Sequence, residues 1–192
     1  MADTNKIKFG IKNVYYAVAT IGANGSATYT TPVAMPGAVS LSLSPQGETS
    51  PFYADNIVYY TSVSNNGYEG DLELAKVPES FLKDVLGYTV GGNGLIYENA
   101  GAPVVHFALL FQFEGDAKAK RHVMYNCVAA RPEVSGSTKE ENIDPQTETI
   151  SITATTIYVS ALDKDVVKAY LNEGDAGYTT FLSSVAQPTA ST

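Results

Sequence analysis

Cysteine and long apolar runs are scarce in this chain, and no secretory leader is expected from its first residues. Its 192 residues include one cysteine, Cys127, so no disulfide can form within the chain. The longest apolar run, FALLF at residues 107–111, is far shorter than the ~20 residues that a membrane-spanning helix needs. The first ten residues, MADTNKIKFG, lack the charged stretch and apolar core of a secretory signal. We therefore expect a soluble protein that is made in a cytoplasm and contacts no membrane.

Histidine is nearly as rare, and this limits the catalytic chemistry available. The two histidines, His106 and His122, lie on opposite arms of a predicted hairpin. If its turn centres near residue 117, His122 lies opposite Gln112, roughly 20 Å along the strand from His106. In the same register Cys127 lies opposite Phe107, which leaves His106 on the other face unless the register shifts by one residue. We expect no catalytic pair, no bound cofactor and no enzymatic activity.

Positive charge is also in short supply. The chain carries 12 Lys and Arg against 20 Asp and Glu, a net charge of -8. Proteins that bind nucleic acid through its phosphates need a basic surface, so this class is disfavoured. The first 47 residues are the exception, because Lys6, Lys8 and Lys12 outnumber Asp3. We expect these lysines to meet an acidic surface of the same or another copy, while a solvated leader remains the alternative.

Glycine, proline and tyrosine are plentiful, and they favour strands and turns. The chain has 16 Gly, 9 Pro and 13 Tyr. The length fits one domain over residues 1–192, with a loose arm at 1–12 and a flexible tail at 186–192. The pattern predicts about eight strands, with a short helix at 165–171 and a helical apolar stripe at 179–185. These elements favour a mainly β fold, a β-sandwich or open barrel with long loops and a short flanking helix.

Residues 65–88, NNGYEGDLELAKVPESFLKDVLGY, combine a turn, a strand and a helix. Strand side chains alternate, so one face is apolar and carries Tyr68, Gly70, Leu72 and Leu74. The other face carries three carboxylates, Glu69, Asp71 and Glu73. Pro78 and Gly87 are typical of the start and the end of a helix. Carboxylates ~7 Å apart on a strand face can also hold a hard cation or act as a glycosidase pair, and both alternatives remain open.

Residues 45–56, PQGETSPFYADN, are rich in turn formers yet carry two adjacent aromatics, Phe52 and Tyr53. This composition predicts a loop. Two interpretations are equally open: the aromatics contact another molecule, or the loop tip folds back on the core of its own chain.

Several motifs occur in a characteristic order along the chain. GYEGDLELA is followed by P-x-x-F-x-x-D-V-L-G, and FEGD is followed by RHVMYNC and PQTETISI. In these motifs the chain resembles the major tail proteins of long-tailed bacteriophages, in the group that includes the phi13-type tail proteins. The resemblance extends over residues 36–185, from PGAVSLSLSP to FLSSV.

This resemblance implies a tail-tube fold and a structural role. Members of the family form hexameric rings that stack into a hollow tube in the virion tail, around a tape-measure protein and between tail-terminator and distal-tail proteins. DNA passes through the tube as cargo and is not bound. A carbohydrate- or receptor-binding β-sandwich module of a phage or a bacterial surface is the rival interpretation.

The same resemblance implies positions in the tube for the acidic and aromatic residues. A conduit for DNA benefits from carboxylates that hold phosphates away from its wall, so we expect Glu69, Asp71 and Glu73 to face the lumen. We expect the contacts between rings or subunits to involve residues of the aromatic loop and of the arm, namely Phe52, Tyr53, Asp55, Lys6, Lys8 and Lys12.

Overall fold

The computed structural model describes residues 8–116, 118–136, 138 and 146–190. Within these residues the chain forms fifteen strands and one helix: β1 (Phe9–Ile21), β2 (Ala27–Tyr29), β3 (Val33–Ala34), β4 (Ala38–Gln46), β5 (Thr49–Ala54), β6 (Ile57–Val63), β7 (Gly67–Leu74), α1 (Glu79–Asp84), β8 (Tyr88–Val90), β9 (Ile96–Glu98), β10 (His106–Glu114), β11 (Arg121–Ala129), β12 (Glu148–Thr155), β13 (Ile157–Val159), β14 (Lys164–Val166) and β15 (Lys168–Leu171). The predicted mainly β fold with a short helix is confirmed.

Nine of the strands form one antiparallel sheet in the order β2-β1-β10-β11-β12-β7-β4. Strand β3 also pairs with β1, and β15 pairs with the half of β11 that β12 leaves free. The sheet is open and does not close into a barrel. The remaining strands form three separate pairs, β5-β6, β8-β9 and β13-β14.

Strand β10 lies inside the sheet, between β1 and β11, and this position explains the FALLF run. Phe107 and Leu109 point into one apolar core, and Ala108 and Leu110 point into a second core on the opposite face. A strand that is covered on both faces has a continuous run of apolar residues. In a strand with one solvent-exposed face, apolar and polar residues alternate. The sheet therefore has a core on each side along β10.

The helix α1 covers the first core. Phe81 is fully buried, and its ring makes edge contacts with Tyr16 at 5.1 Å and Phe107 at 5.4 Å between centroids. The Tyr16 hydroxyl donates a hydrogen bond to Asp84 at 2.8 Å, which fixes the helix to β1. The helix ends at Asp84 with Val85 as its C-cap, and Gly87, with φ +73°, completes the turn from there into β8. A Cβ at Gly87 would lie 2.4 Å from the Cβ of Ala102.

The C-terminal part of the chain covers the second core, and two predictions are wrong there. Residues 165–171 are not a helix, because they lie in β14 and β15, which pair with β13 and β11. Residues 179–185 form turns with Phe181 buried, rather than a regular helix. Sheet pairing and burial override the short helical stripes in both places.

The chain ends are also more ordered than predicted. Strand β1 begins at Phe9, so the last part of the predicted arm lies in the sheet, while residues 1–7 lie outside the described part. Near the C-terminus the Tyr125 hydroxyl donates to the Ala186 carbonyl at 2.8 Å, and Gln187 donates to the Ala27 carbonyl at 2.7 Å. The start of the predicted flexible tail is thus attached to the sheet.

Candidate assembly surfaces

The acidic strand face becomes the centre of a polar array on three adjacent strands. In register, Glu69, Asp71 and Glu73 of β7 lie between two rows of hydroxyl residues. The rows are Ser40, Ser42 and Ser44 on β4, and Thr149, Ser151 and Thr153 on β12. Glu69 and Asp71 are exposed and Glu73 is half-buried. We call these nine residues the acidic array. Their opposite face, with Leu72 and Ile152, lies in the first core.

Hydroxyl groups donate hydrogen bonds to two of the three carboxylates, Asp71 and Glu73. Thr147 donates to Glu73 at 2.7 Å and Ser40 donates to its other oxygen at 2.8 Å. These two hydrogen bonds, with Thr147 the stronger cause, hold the pKa of Glu73 below its usual range. Ser151 donates to Asp71 at 2.7 Å. Glu73 is therefore ionised at neutral pH.

A cation site would need a closer grouping of ligands than the array provides. Among the residues that the structure describes, no three His, Cys, Asp or Glu side chains are grouped so that they could hold a metal ion. Glu73 already accepts hydrogen bonds on both oxygens. The arrangement supplies a negative surface rather than a coordination shell.

The predicted loop at 45–56 is wrong, because these residues continue β4 to Gln46 and then form β5, which pairs with β6. The turn in this segment is formed by two residues, Asp55 and Asn56. Both have positive φ, +52° and +62°. Such a turn fits the twist of a tight hairpin. We call β5, this turn and β6 the aromatic hairpin.

The aromatic hairpin is exposed along its whole length. Every residue of its two strands is exposed apart from Ala54, which is half-buried. The large apolar residues among them are Phe52, Tyr53, Ile57, Val58, Tyr59, Tyr60 and Val63, each between 52% and 73% exposed. Soluble monomers rarely expose a continuous apolar patch of this size, which marks an interaction surface. The alternative that the aromatics fold back on their own core is wrong.

The lysines near the N-terminus have different surroundings. Lys12 forms a salt bridge with Glu114 of its own chain at 2.9 Å. Lys8 lies over the ring of Phe113, 4.4 Å from its centroid. Lys6 lies outside the described residues. Of the two lysines that the structure describes here, Lys12 is paired within its own chain and Lys8 forms no salt bridge.

Sequence reasoning missed a groove that is lined by residues of β4, β7, β10, β11 and β15 and by Lys8. Its volume is about 360 Å³, and its lining includes Lys8, Tyr68, Phe113, His122 and Lys168. We call this the lysine groove. Lys168 lies 4.4 Å from the Tyr68 ring centroid, in the same way that Lys8 lies over Phe113. The lysines are distant in sequence, so no local pattern indicates that they meet.

His122 lies inside this groove, and the predicted register around it is wrong by one residue. A bulge in the β10-β11 pairing places His122 opposite Phe111, not Gln112, while Cys127 lies opposite Phe107 as predicted. The imidazole stacks on the Phe111 ring with 5.2 Å between centroids. Burial, and then the charges of Lys8 and two further lysines, lower the pKa of His122 to about 4. The ring is therefore neutral at physiological pH.

The other candidate reactive groups have structural partners. His106 shares a 2.7 Å hydrogen bond with Asn126. Cys127 is fully buried in the first core, and burial raises the pKa of its thiol to about 12. A protonated, enclosed thiol is a poor nucleophile. Neither group is arranged for catalysis.

The described part of the chain contains no helix that is both long and apolar enough to cross a membrane. A comparison with curated proteins finds no match. A family model described as phage tail tube protein matches residues 2–179. Its match includes the acidic array, the aromatic hairpin and the lysine groove. Because the match spans most of the sequence, the chain belongs to the phage tail tube protein family.

Proposed function

We propose that this chain forms hexameric rings that stack into a hollow tube through which the phage genome is delivered. As a tail tube protein the chain is a structural component of the virion tail, and its family is not a family of enzymes. In the proposal the tube surrounds a tape-measure protein, ends at tail-terminator and distal-tail proteins, and is assembled in the host cytoplasm. The rival role as a carbohydrate- or receptor-binding module has no support from the family match.

The exposed aromatic hairpin is the observation that carries the assembly proposal. Its apolar side chains project from the sheet, where no core covers them. Burying such side chains is favourable by about 25 cal/mol per Å², so a second copy is the simplest partner that removes them from water. A contact between different surfaces of identical subunits closes into rings or continues as stacks. We place Phe52, Tyr53 and Asp55 in such a contact between subunits or rings.

The acidic array supports an orientation of each subunit in the tube. It lies on the half of the sheet formed by β4, β7 and β12, whose outer face carries the hydroxyls and carboxylates of the array. A lumen wall of this kind repels DNA phosphates, since the field of fixed charges acts over ~8 Å in physiological salt. We propose that Glu69, Asp71 and Glu73 line the lumen or its rim.

A cryo-EM reconstruction of the purified, assembled protein tests this proposal directly. We expect stacked six-fold rings with Glu69, Asp71 and Glu73 on the inner wall. Placement of these carboxylates on the outer wall would refute the lumen assignment. Protein that never forms rings or tubes, even at high concentration or in the presence of the other tail proteins, would refute the assembly proposal.

A DNA-binding assay on assembled tubes tests the repulsion itself. We compare Glu69→Lys with Asp71→Lys against a control with the same charge change, Glu133→Lys with Glu173→Lys. Both pairs are exposed, but the control pair lies outside the array. We expect salt-sensitive retention of short duplex DNA by the first tubes only. Equal retention by both sets of tubes would show that overall charge, not the array, excludes DNA.

A further inference from the structure

The lysine groove combines concentrated positive charge with aromatic surface in an acidic chain. Lys8 and Lys168 contact aromatic rings, and Lys120 lies 5.3 Å from the ring centroid of Tyr170 beside them. Among the described residues none of these three lysines forms a salt bridge. Asp116 is the single carboxylate that raises the pKa of His122, against three lysines that lower it. The groove therefore has an excess of positive charge and suits a carboxylate that comes with apolar side chains.

The tip of the aromatic hairpin has the matching composition. Asp55 occupies the turn, and among the described residues it forms no salt bridge. Phe52 and Tyr53 precede it on β5, 61% and 63% exposed, and Ile57 follows on β6, 62% exposed. The tip thus offers one carboxylate surrounded by exposed apolar side chains. Groove and tip complement each other in charge and in apolar surface.

The tip that enters the groove must come from another copy. The hairpin extends beyond the point where β4 ends at Gln46 and β7 begins at Gly67. Its arms of six and seven residues place Asp55 about 20 Å beyond that point at ~3.3 Å per residue. In the described chain Asp55 forms no salt bridge with Lys8 or Lys168 of its own groove.

We propose that the lysine groove of one subunit receives the tip of the aromatic hairpin of a second subunit. The Asp55 carboxylate pairs with Lys168 and Lys8 in the groove. The rings of Phe52 and Tyr53 pack against the apolar lining that includes Phe113. This inference rests on the proposed function, since it names the acceptor surface for the contact between subunits.

A charge exchange tests the pairing. We measure the critical concentration for tube formation by sedimentation and negative-stain microscopy for Lys168→Glu, for Asp55→Lys and for the two changes together. We expect each single change to raise it on the order of tenfold or more, and the combination to restore it towards wild type. Lys76→Glu, on an exposed lysine outside the groove, has the same charge change and should assemble as wild type.

Three results would overturn the pairing: wild-type assembly by Lys168→Glu, an equal loss with Lys76→Glu, or no recovery in the combined variant. If the wild-type chain itself forms no tubes, the proposed function fails instead. A loss of folding is detected by thermal unfolding of each variant.

Disulfide trapping gives an answer that is independent of the charge exchange. We mix two single variants, Asp55→Cys and Lys168→Cys, and oxidise them under assembly conditions; the native Cys127 is fully buried. We expect a disulfide-linked dimer that contains one copy of each variant. Absence of this dimer in tubes that assemble normally would refute the contact. A link within one chain, in the variant with both changes, would identify the chain's own hairpin as the occupant and also refute it.

Discussion

Replacing Phe52 and Tyr53 together with alanine should separate assembly from folding. Both side chains are more than 60% exposed on a hairpin that no core covers. Surface substitutions of this kind change the free energy of unfolding by about 0.5 kcal/mol or less. The thermal transition of the monomer should therefore stay close to that of the wild type.

The effect on assembly can be worked out from the exposed area. A buried aromatic side chain covers roughly 150–250 Å², so the exposed part of each ring is about 100–150 Å². At about 25 cal/mol per Å², and with part of that area kept by the alanine, complete burial contributes about 2 kcal/mol for each residue. Two residues give ~4 kcal/mol per contact as an upper limit. Since 1.4 kcal/mol is a factor of ten, the critical concentration for assembly rises by up to about 10³-fold.

Sedimentation of a concentration series, followed by negative-stain microscopy of the pellets, measures this change. Val134→Ala is the control, because Val134 is 98% exposed but lies outside the hairpin. Its assembly should match the wild type. If the Phe52 and Tyr53 variant forms tubes at the wild-type concentration, the hairpin does not drive assembly and the reasoning from its exposed surface is wrong.

Three further predictions concern the folded subunit. Gly70→Ala should lower the melting temperature, since a Cβ there would lie 1.8 Å from the Ser42 carbonyl oxygen. We expect a loss of about 1–3 kcal/mol in the free energy of unfolding. Gly92→Ala is the control and should be neutral, because its Cβ would meet no atom within 4 Å. The pKa of His122 is about 4 in the folded chain and near 6.5 in the unfolded chain, so the unfolded state binds more protons between these pH values. The free energy of unfolding should therefore fall as the pH drops from 6.5 to 4. In urea titrations, His122→Gln should lose that part of the pH dependence. Cys127 should react with a thiol reagent only at the rate of unfolding, and fast labelling of the native protein would show that the first core opens.

Periodicity over residues 65–88 was sufficient to predict local structure. Alternation placed Leu72 and Leu74 in the core and the carboxylates outside, and both placements are confirmed. Gly87 lies directly after the turn that follows the helix and adopts the left-handed conformation expected of it, which other residues rarely take. These features depend on neighbours in the sequence, so the sequence contains them directly.

The predictions failed where pairing with distant parts of the chain determines the local structure. Residues 165–171 have a helical apolar stripe, but pairing with β11 makes part of them a strand. The turn-rich segment at 45–56 became an arm of a hairpin because β6 supplies its partner. One bulge moved His122 from Gln112 to Phe111. Hydrogen bonding between strands is a long-range property, and a short window of sequence does not record it.

Residue patterns were enough to predict the mainly β class, the acidic face of β7 and, through the ordered motifs, the resemblance to phage tail proteins. The surroundings of those features depend on how the strands are arranged in the folded chain. This arrangement set the hydroxyl rows beside Glu69, Asp71 and Glu73, left the aromatic hairpin uncovered, and brought Lys8 and Lys168 into one groove although 160 positions separate them. Periodicity along one strand determines which of its side chains face solvent. The order of the strands in the sheet determines which of those solvent-facing side chains become neighbours.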